Sequence, residues 1–420
     1  MTQLIRSWIE SANSPECGFP LNNLPFGVFS KSGGKPRCAT AIGDFVVDLY
    51  ELERSGIVDW PELFDGDCLN KFMEAGPQVW AEIRTDLQEI FGAEASSRLQ
   101  ELLQRSVLVP GDECQMHMPF KVAEFTDFYA GRHHATNVGT ILRGAENALP
   151  PNWLHIPIGY NGRASTVVVS GTDIRRPCGQ LKSPEFEAPI FAPSRRLDIE
   201  LELGAVLGCS SQMGERVSVA DADDMIFGYV LLNDWSARDI QAWEYQPLGP
   251  FQAKAFATSI SPWIITKAAL EPFRTSTPER KKPLLDHLKE PGPMLYDIDL
   301  EIGITPEEGD VETIISRTNY SQMYYSSAQQ VAHHASSGCA MNVGDLLGSG
   351  TISGPERNQC GSLLEISWGG KEPITLDCGT KRTFLENGDT MTLRGHAQGD
   401  GYRIGFGECV GTILEANVKP

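Results

Sequence analysis

The chain carries an alternating acidic stretch, Asp198-Ile199-Glu200-Leu201-Glu202, and a second polar stretch, Asn233-Asp234-Trp235-Ser236-Ala237-Arg238-Asp239. Because side chains alternate across a β-strand, the first stretch places three carboxylates on one face and its aliphatic side chains on the other. The second stretch follows an apolar run over residues 225–232 and changes from a strand pattern to a helix pattern. Carboxylates gathered at a strand end suit a hard divalent cation, so the two stretches predict such a site.

A short helix is predicted to follow the second stretch. We expect Ser236 to be its N-cap, with Asp239 three residues later as a shorter capping partner. Arg238, Gln241 and Tyr245 then fall at i, i+3 and i+7, so one helix face displays a cation, an amide and a phenol. A half-exposed acidic strand and a capped surface helix are the simpler alternatives, and both remain open at this point.

The choice of cation follows from the type of ligand. Oxygen ligands alone favour calcium, magnesium or manganese over zinc. The run Asp221, Asp223 and Asp224 is a competing candidate site. It directly precedes a predicted buried strand, so a solvated turn is the simpler interpretation of that run.

Two pairs of adjacent histidines need an interpretation. The first pair, His133-His134, lies in a stretch over residues 126–137 that also holds a carboxylate and a phenol. Histidine suits a general base near neutral pH, but a polar surface loop is an alternative interpretation of this stretch. The second pair, His333-His334, lies in a helix predicted over residues 326–335 and is interpreted as structural.

The length and pattern predict two domains. Residues 1–120 form a small N-terminal unit with extended segments at 26–29 and 38–49, and residues 121–420 form the larger unit. Within the first unit, apolar residues at helical spacing predict an amphipathic helix whose stripe consists of Val79, Trp80, Ile83, Leu87 and Ile90.

The larger unit is predicted to consist mainly of short strands separated by Gly and Pro turns. The predicted strands are Ser165–Val169, Asp198–Leu207, Met225–Leu232, Ile260–Ile265, Asp297–Ile304, Ser362–Trp368 and Thr390–Leu393. Without regular alternation of strands and helices, a doubly wound sheet is disfavoured. A mostly β fold with some α, as a roll or barrel, is the better prediction.

Composition excludes several classes of function and indicates a compartment. A net charge of −20 argues against nucleic-acid and anionic-membrane partners, which need a basic surface. No secretory signal or membrane-spanning stretch is evident, and ten scattered cysteines indicate reduced thiols in the cytoplasm. The loop Gly348–Gly354 lacks the context of a dinucleotide site, and neither a GxSxG motif nor a cysteine nucleophile signature occurs.

Read together, longer motifs resemble those of the fumarylacetoacetate hydrolase family. The matching stretches are Asp127-Phe128-Tyr129, His134-Ala135-Thr136-Asn137-Val138-Gly139, Arg143-Gly144, Glu146-Asn147-Ala148-Leu149, Pro151-Asn152-Trp153-Leu154-His155, Gly162-Arg163-Ala164-Ser165, Asn233 through Gln241, Pro247-Leu248-Gly249-Pro250-Phe251, Gly350-Thr351-Ile352-Ser353-Gly354 and Gly399-Asp400-Gly401-Tyr402-Arg403. They cover essentially everything after Phe125, with a weaker likeness before it.

The resemblance implies a set of site residues. It assigns a cation, usually calcium (with magnesium or manganese as alternatives), to Asp127, Glu200, Glu202 and Asp234, and a second, lighter or monovalent cation to Asp234, Lys254 and Thr258. It makes His134 the base and Glu365 its orienting partner, and it implies that Arg238, Gln241 and Lys254 stabilise negative charge. The implied substrate contacts are Tyr129, Arg143, Tyr160, Gln241, Tyr245 and Thr351. One departure is His133, where the family usually has Gln.

The resemblance also implies an activity and an architecture. The implied reaction is hydrolysis of a carbon–carbon bond in 4-fumarylacetoacetate, yielding fumarate and acetoacetate, in tyrosine and phenylalanine degradation. The implied fold is a small N-terminal β-barrel-like domain plus a larger β-roll, assembled as a homodimer. The alternatives are a related decarboxylase or isomerase acting on diketo acids, and a non-catalytic cation-binding protein.

Overall fold

The computed structural model describes residues 3–31, 33–185 and 187–418, and all its elements lie within these ranges. The α-helices are α1 Leu49–Arg54, α2 Asn70–Glu74, α3 Pro77–Phe91, α4 Ser97–Ser106, α5 Arg132–Arg143, α6 Val219–Met225, α7 Arg238–Glu244, α8 Gln252–Ala255, α9 Lys267–Leu270, α10 Ser327–Ala335 and α11 Leu363–Ile366. Short 3₁₀ turns are interspersed, for example at Ala164–Thr166 and Tyr320–Gln322.

Strands are more numerous than helices. They are β1 Phe26–Lys31, β2 Arg37–Ile42, β3 Phe45–Asp48, β4 Leu108–Pro110, β5 Cys114–His117, β6 Phe125–Phe128, β7 Gly159–Asn161, β8 Val167–Val169, β9 Ile174–Arg175, β10 Cys178–Leu181, β11 Ile190–Pro193, β12 Leu197–Asp198, β13 Leu201–Leu207, β14 Ile226–Asn233, β15 Ser236–Ala237, β16 Thr258–Ile260, β17 Trp263–Thr266, β18 Arg274–Thr275, β19 Leu295–Tyr296, β20 Asp299–Thr305, β21 Thr313–Asn319, β22 Leu346–Gly348, β23 Ile374–Thr375, β24 Lys381–Arg382, β25 Thr390–Gln398 and β26 Arg403–Leu414.

The N-terminal strands form an antiparallel meander. β1 pairs with β2 and β2 with β3, and the β2–β3 turn contains Gly43 at φ +57°. A Cβ there would lie 2.3 Å from the Ser11 hydroxyl, so both the backbone angle and the space favour glycine. The predicted amphipathic helix is confirmed as α3, with Ile83 and Leu87 buried in the adjacent core.

These N-terminal strands continue into the sheet of the larger unit. β1 pairs with β17 through Phe26 opposite Ile264, so that one sheet of 13 strands results. Ten of them follow the order β4-β3-β2-β1-β17-β14-β13-β22-β6-β7, while β5 pairs with β1, and β16 pairs with β14 and β8. The prediction of a mostly β fold with some α is confirmed, and the sheets are open. Two finer points stay predictions. They are the closure of the N-terminal strands into a barrel and the domain boundary between residues 120 and 121.

A five-stranded sheet with the order β21-β20-β25-β26-β9 packs against the large sheet. Its two long strands pass close to the strand that ends at the second polar stretch, because Gly395 leaves room for Leu231 and Gly411 leaves room for the indole of Trp235. Trp235 is fully buried and its Nε1 donates to the Ser259 hydroxyl at 2.9 Å. This packing fixes the backbone next to Asp234.

Most strand predictions are confirmed within a few residues, and three are wrong in part or in full. Residues 362–368 contain the helix α11, which Ser362 caps through its hydroxyl. The predicted strand over 260–265 is interrupted at Ser261-Pro262, because proline lacks the N–H that a ladder needs. The predicted strand over 198–207 is interrupted at residues 199–200, which separate β12 from β13.

Within the described residues, every helix is too short or too polar to cross a membrane. The ten cysteines all carry free thiols.

Candidate active site

Three adjacent strands bring two of the predicted acidic residues together. Asp127 lies on β6, which pairs with β22 through Gly348, and Gly348 in turn lies opposite Gly204 of β13, two residues after Glu202. A Cβ at position 348 would lie 2.4 Å from Asp127 Oδ1 and 2.9 Å from Glu202 Oε2. The glycine therefore leaves the space that the two carboxylates occupy.

The other two acidic residues follow an irregular segment and a strand end. Glu200 lies between β12 and β13, and its backbone N–H donates to the Asn233 side-chain oxygen at 3.1 Å. Asp234 follows β14, and its own N–H donates to the Glu200 carbonyl at 3.2 Å. Asp127, Glu200, Glu202 and Asp234 are buried, and each offers a carboxylate oxygen within 4.8 Å of the others.

One half of this cluster, Asp127 and Glu202, is called here the acid-only half. Asp127 Oδ1 and Glu202 Oε1 are buried and have no hydrogen-bond partner among the described residues. Glu202 Oε2 accepts from the Gly350 N–H at 2.8 Å. Burial and the neighbouring carboxylates raise the pKa of both groups well above the usual range. These orphaned oxygens suit a hard divalent cation such as calcium, magnesium or manganese.

The other half, Glu200 and Asp234, is called the cation-paired half. Lys254 Nζ donates to Glu200 and, at 2.7 Å, to Asp234, while Arg238 Nη2 lies 2.8 Å from Glu200 Oε1. Burial alone would raise the pKa of Glu200, but Lys254, Arg238 and His134 outweigh it and hold that pKa far below normal. The carboxylates likewise outweigh burial at Lys254 and raise its pKa.

Two hydroxyl groups complete the surroundings of Asp234. Tyr160 donates to Asp234 Oδ2 at 2.8 Å and Thr258 donates to Oδ1 at 3.2 Å. Burial and the nearby Asp234 raise the pKa of Tyr160 well above its ordinary value, so its phenol stays a donor. The protonated Lys254 ammonium has no lone pair, so it neutralises charge here and cannot itself ligate a metal.

His134 lies on a helix beside the cluster. The polar surface loop considered for residues 126–137 is wrong, because β6 and α5 account for all but three of these residues and His134 is buried on α5. Its Nδ1 lies 2.7 Å from Glu365 Oε2, and its Nε2 lies 3.7 Å from Glu200 Oε1. An ionised Glu365 accepts a hydrogen bond from Nδ1–H, so the Nε2 lone pair faces the cluster.

Glu365 is held by several donors. The Ser362 and Ser353 hydroxyls donate to its Oε2 at 2.8 and 3.0 Å, and the Asn137 amide donates to Oε1 at 2.9 Å. Burial would raise the pKa of Glu365, but His134 and these hydrogen bonds outweigh it and lower that pKa. Glu365 is therefore an ionised and oriented partner for the imidazole.

The predicted substrate-contact residues surround the same centre to different degrees. The Tyr129 ring meets His134 edge-on at 5.5 Å between centroids, and Gln241 Oε1 accepts from Arg238 Nη1 at 3.1 Å. Thr351 is buried in the loop that directly follows β22. That loop also supplies the backbone N–H that donates to Glu202, so it borders the acid-only half.

Two further predicted contacts lie at the margin of the site. Arg143 ends α5, is exposed, and donates to the carbonyls of Asn147 and Ala148 at 3.2 and 2.8 Å. Tyr245 follows α7 as its C-cap residue, and its hydroxyl accepts from the Gln246 amide. The structure therefore gives both residues hydrogen bonds outside the acidic cluster.

The helix after Asp234 begins differently from the prediction. Ser236 was expected to be the N-cap, but it pairs with Asp198 in the β12–β15 ladder, and Ala237 precedes the helix without a side-chain cap. Asp239, the expected capping partner, accepts instead from the Ser194 hydroxyl at 2.6 Å and the Arg195 N–H at 2.7 Å. Ser236 therefore pairs in a strand ladder and does not cap the helix as the local pattern predicted.

The competing acidic run is not a solvated turn. Asp221, Asp223 and Asp224 lie on α6, and the buried Asp223 lies within 3.0 Å of Lys267 Nζ and 2.6 Å of Arg274 Nη2. Two cationic side chains thus already neutralise it, so the run is a poor candidate for a cation site.

The remaining histidines occupy different surroundings from His134. His133 is half-buried, and burial together with Arg132 lowers its pKa. His334 Nε2 lies 3.0 Å from the Thr126 hydroxyl, and both histidines of the second pair line a cavity of about 890 Å³ that also contacts Tyr160 and Phe128. This cavity lies next to the acidic cluster because Tyr160 borders both.

Several residues that hold the site in place were missed as candidates. They are Asn137, Gly348, Ser353 and Ser362. Their signals in the sequence are weak, because each acts on a partner that lies elsewhere along the chain. Gly348 and Ser353 belong to the glycine-rich loop over residues 348–354, whose sequence context argues against a dinucleotide site and indicates no role for these two residues.

A buried carboxylate cluster that suits a hard cation, beside a histidine–glutamate pair, defines the protein as a candidate metal-dependent enzyme. Residues 22–119 match the family model described as Fumarylacetoacetase N-terminal, and residues 124–414 match the one described as Fumarylacetoacetate (FAA) hydrolase C-terminal. The chain therefore belongs to the fumarylacetoacetate hydrolase family.

Individual relatives agree with this assignment. The chain is 46% identical to a fumarylacetoacetase of Arabidopsis thaliana, over 98% of this chain and 99% of the relative. It is 45% identical to a fumarylacetoacetase of Homo sapiens, over 95% and 96%. A solved fumarylacetoacetate hydrolase from psychrophilic Exiguobacterium antarcticum shares the fold, with a TM-score of 0.53, 14% identity, and coverage of 94% and 100%.

Proposed function

We propose that the protein hydrolyses a carbon–carbon bond of 4-fumarylacetoacetate, releasing fumarate and acetoacetate, as a step of tyrosine and phenylalanine degradation. The observation that carries the proposal is the combination of His134, Glu365 and the four-carboxylate cluster in one buried centre. The relatives that align with nearly the whole chain are fumarylacetoacetases, which supports the choice of substrate.

His134 is the proposed general base. Water is too weak a nucleophile at neutral pH, so a positioned imidazole must take its proton during attack on the ketone. Glu365, 2.7 Å from Nδ1, holds the tautomer in which Nε2 is free and stabilises the imidazolium that forms. The donors on Glu365 keep it ionised for this role.

Arg238, Gln241 and Lys254 are the proposed groups that stabilise negative charge. Attack on the ketone creates an oxyanion, and cleavage then releases an enolate. Preorganised donors favour both, and the loss of one such donor typically costs about 3 kcal/mol. Arg238 and Lys254 are already neutralised in part by Glu200, so their positions are held before substrate enters.

A divalent cation, when held by Asp127, Glu200, Glu202 and Asp234, would supply Lewis-acid polarisation of the substrate oxygens. We propose calcium, with magnesium or manganese as alternatives, and a second, lighter or monovalent cation near Asp234, Lys254 and Thr258. At that second position the Thr258 hydroxyl and Asp234 offer oxygen ligands, whereas the protonated Lys254 side chain contacts Asp234 and cannot ligate a cation. Tyr129, Arg143, Tyr160, Gln241, Tyr245 and Thr351 are the proposed substrate contacts.

The remaining parts of the proposal concern assembly and location. We propose a homodimer in the cytoplasm, with an N-terminal β-barrel-like domain over residues 1–120 and a β-roll over residues 121–420. The ten free thiols and the charge of −20 are compatible with that compartment and with the absence of a nucleic-acid or membrane partner.

The test is direct. Purified protein is mixed with fumarylacetoacetate, and the loss of diketone absorbance is followed with and without a chelator, with His134→Ala as the matched inactive variant. We expect turnover that the chelator abolishes and added calcium restores. Turnover of oxaloacetate or of a hydroxydienoate alone would favour the related decarboxylase or isomerase. Cation binding without any turnover would favour a non-catalytic cation-binding protein.

A further inference from the structure

Asp198 has an unusual set of partners for a residue that is outside the acidic cluster. Its carboxylate is fully buried. Oδ1 accepts from the Ile199 N–H at 2.8 Å and the Leu363 N–H at 2.7 Å. Oδ2 accepts from the Leu364 N–H at 3.0 Å and Arg238 Nε at 2.8 Å. Four donors therefore converge on one carboxylate.

These four donors belong to two different parts of the site. Arg238 also lies 2.8 Å from Glu200 Oε1 and donates to Gln241. Leu363 and Leu364 are the first residues of α11, and the next residue is Glu365, which contacts His134. Among the described side chains, Asp198 joins the arginine directly to the start of the helix that carries the glutamate.

The same contacts exclude other roles for Asp198. Both oxygens are occupied by N–H donors, so neither is available to ligate a cation. Burial raises the pKa of this carboxyl, but Arg238 and the Leu364 N–H oppose the change. With donors aimed at both oxygens, a carboxyl proton would have no acceptor, so the ionised form fits the geometry.

We propose that Asp198 is a positioning residue for the proposed hydrolysis. It holds Arg238 and α11 in one mutual arrangement, so that the charge-stabilising guanidinium and the His134–Glu365 pair face the same substrate. This inference rests on the proposed function for its kinetic consequences. It assigns a role in catalysis to a residue that does not touch the substrate.

A second buried aspartate–arginine pair provides a matched control. Asp389 is fully buried and accepts from Arg382 Nε and Nη2 at 2.9 Å and from the Glu386 N–H at 2.8 Å. It lies between β24 and β25, and its carboxylate accepts from Arg382 and Glu386 and not from Arg238 or α11. Asp198→Asn and Asp389→Asn therefore make the same chemical change in two similar environments.

The kinetic experiment compares these variants in the metal-loaded enzyme. We expect both to lower the melting temperature, but Asp198→Asn alone to lower kcat by about 10- to 100-fold, with KM and bound metal changed by less than about threefold. Adding Asp198→Asn to Arg238→Lys should lower kcat by less than about threefold further, because the two residues act together. Multiplicative effects, or equal loss of kcat in both asparagine variants, would overturn the proposal.

A second measurement does not depend on activity. In ¹⁵N-histidine-labelled protein, the Nδ1 proton of His134 is expected to give a low-field resonance because it donates to Glu365. Asp198→Asn should shift or broaden this resonance, and Asp389→Asn should leave it unchanged. If Asp198→Asn does not fold, Arg238→Lys serves instead, because it removes the Nε donor to Asp198. An unchanged resonance would overturn the positioning role.

The two measurements separate this inference from the proposed function. If the wild-type protein is inactive on fumarylacetoacetate but Asp198→Asn shifts the His134 resonance, the proposed function is overturned and the structural coupling of Asp198 to His134 stands. If the wild-type enzyme is active but Asp198→Asn changes neither kcat nor the His134 resonance, the proposed function stands and the positioning role of Asp198 is overturned.

Discussion

The acid-only half and the cation-paired half of the cluster contain the same kinds of residue at the same depth, yet they differ in electrostatics. Asp127 and Glu202 are buried without a direct cationic partner in the described structure, and their pKa values are raised. Glu200 is equally buried, but Lys254 and Arg238 lower its pKa. The comparison shows that neighbouring charges, and not burial alone, decide the protonation of a buried carboxylate.

The two halves therefore also have different proposed roles in the site. The acid-only half has oxygens without partners, which is where an added cation gains most. The cation-paired half connects to Arg238, Lys254 and His134, the groups proposed to act on water and on developing charge. Changes to the two halves should therefore have distinct consequences.

The largest effect is expected from His134→Ala, which removes the proposed base beside the cation-paired half. General-base catalysis contributes about 10²- to 10⁴-fold, so kcat should fall by a factor in that range. Calcium affinity should change little, because His134 is not one of the four clustered carboxylates. Steady-state kinetics and calorimetric titration with calcium measure the two quantities. His133→Ala is the control, and a large loss there with activity retained in His134→Ala would reassign the base.

Glu200→Gln and Glu202→Gln should change the stability of the metal-free protein in opposite directions. Glu200→Gln removes one of the two carboxylates that contact each of Lys254 and Arg238, so the free energy of unfolding should fall. The loss should be smaller than the about 3–5 kcal/mol typical when a buried charge loses its only partner, because Asp234 and Asp198 remain. Glu202→Gln removes a carboxylate whose charged form burial and the neighbouring carboxylates disfavour, so the free energy of unfolding should rise.

Chelator-treated samples in chemical denaturation measure these changes, and a calcium titration measures affinity. Calcium affinity should fall in both variants. Losing a residue that only hydrogen-bonds to a metal ligand typically lowers metal affinity by about 10- to 100-fold, and losing a ligand itself should lower it at least as much. Equal destabilisation of both metal-free variants would contradict the division into two halves.

Gly348→Ala should act on the acid-only half through space. The added Cβ would lie 2.4 Å from Asp127 Oδ1, and overpacking of this kind costs about 1–3 kcal/mol. Calcium affinity should fall by about tenfold, since the carboxylates must move, while Gly292→Ala, with open space around its Cβ, should have no effect. Calorimetric titration distinguishes the two, and an unchanged affinity in Gly348→Ala would show that the carboxylates can relax.

The last effect concerns stability and not activity, and it is expected at Asp345, a buried carboxylate outside the cluster. Burial raises its pKa to about 6, and its Oδ1 has no partner among the described residues. Because this pKa exceeds the unfolded value of about 3.9, the folded state loses stability as pH rises from about 4 through 6. Asp345→Asn should therefore raise the free energy of unfolding by about 2 kcal/mol at pH ~8 and by little at pH ~4. Denaturation at both pH values is the measurement, and an equal gain at each would exclude titration as the cause.

Prediction from local pattern succeeded where the pattern repeats and failed where distant partners intervene. The stripe in α3 has five apolar residues at helical spacing, and the helix is present. Alternation in the first acidic stretch predicted one common face for three carboxylates, but the break between β12 and β13 turns Asp198 away toward Arg238 and α11. Pairing of Ser236 with Asp198 likewise overrode the expected N-cap.

By itself, the sequence determined the class of fold, the amphipathic helix and the motifs that mark the family, because these depend on residue type and short spacing. Only the tertiary structure decided which carboxylates are neutralised and which keep free oxygens. Glu365 and His134 are 231 positions apart, and Lys254 is 54 positions from Glu200. Such contacts depend on how strands far apart in the chain align, and no local pattern of residues encodes that alignment.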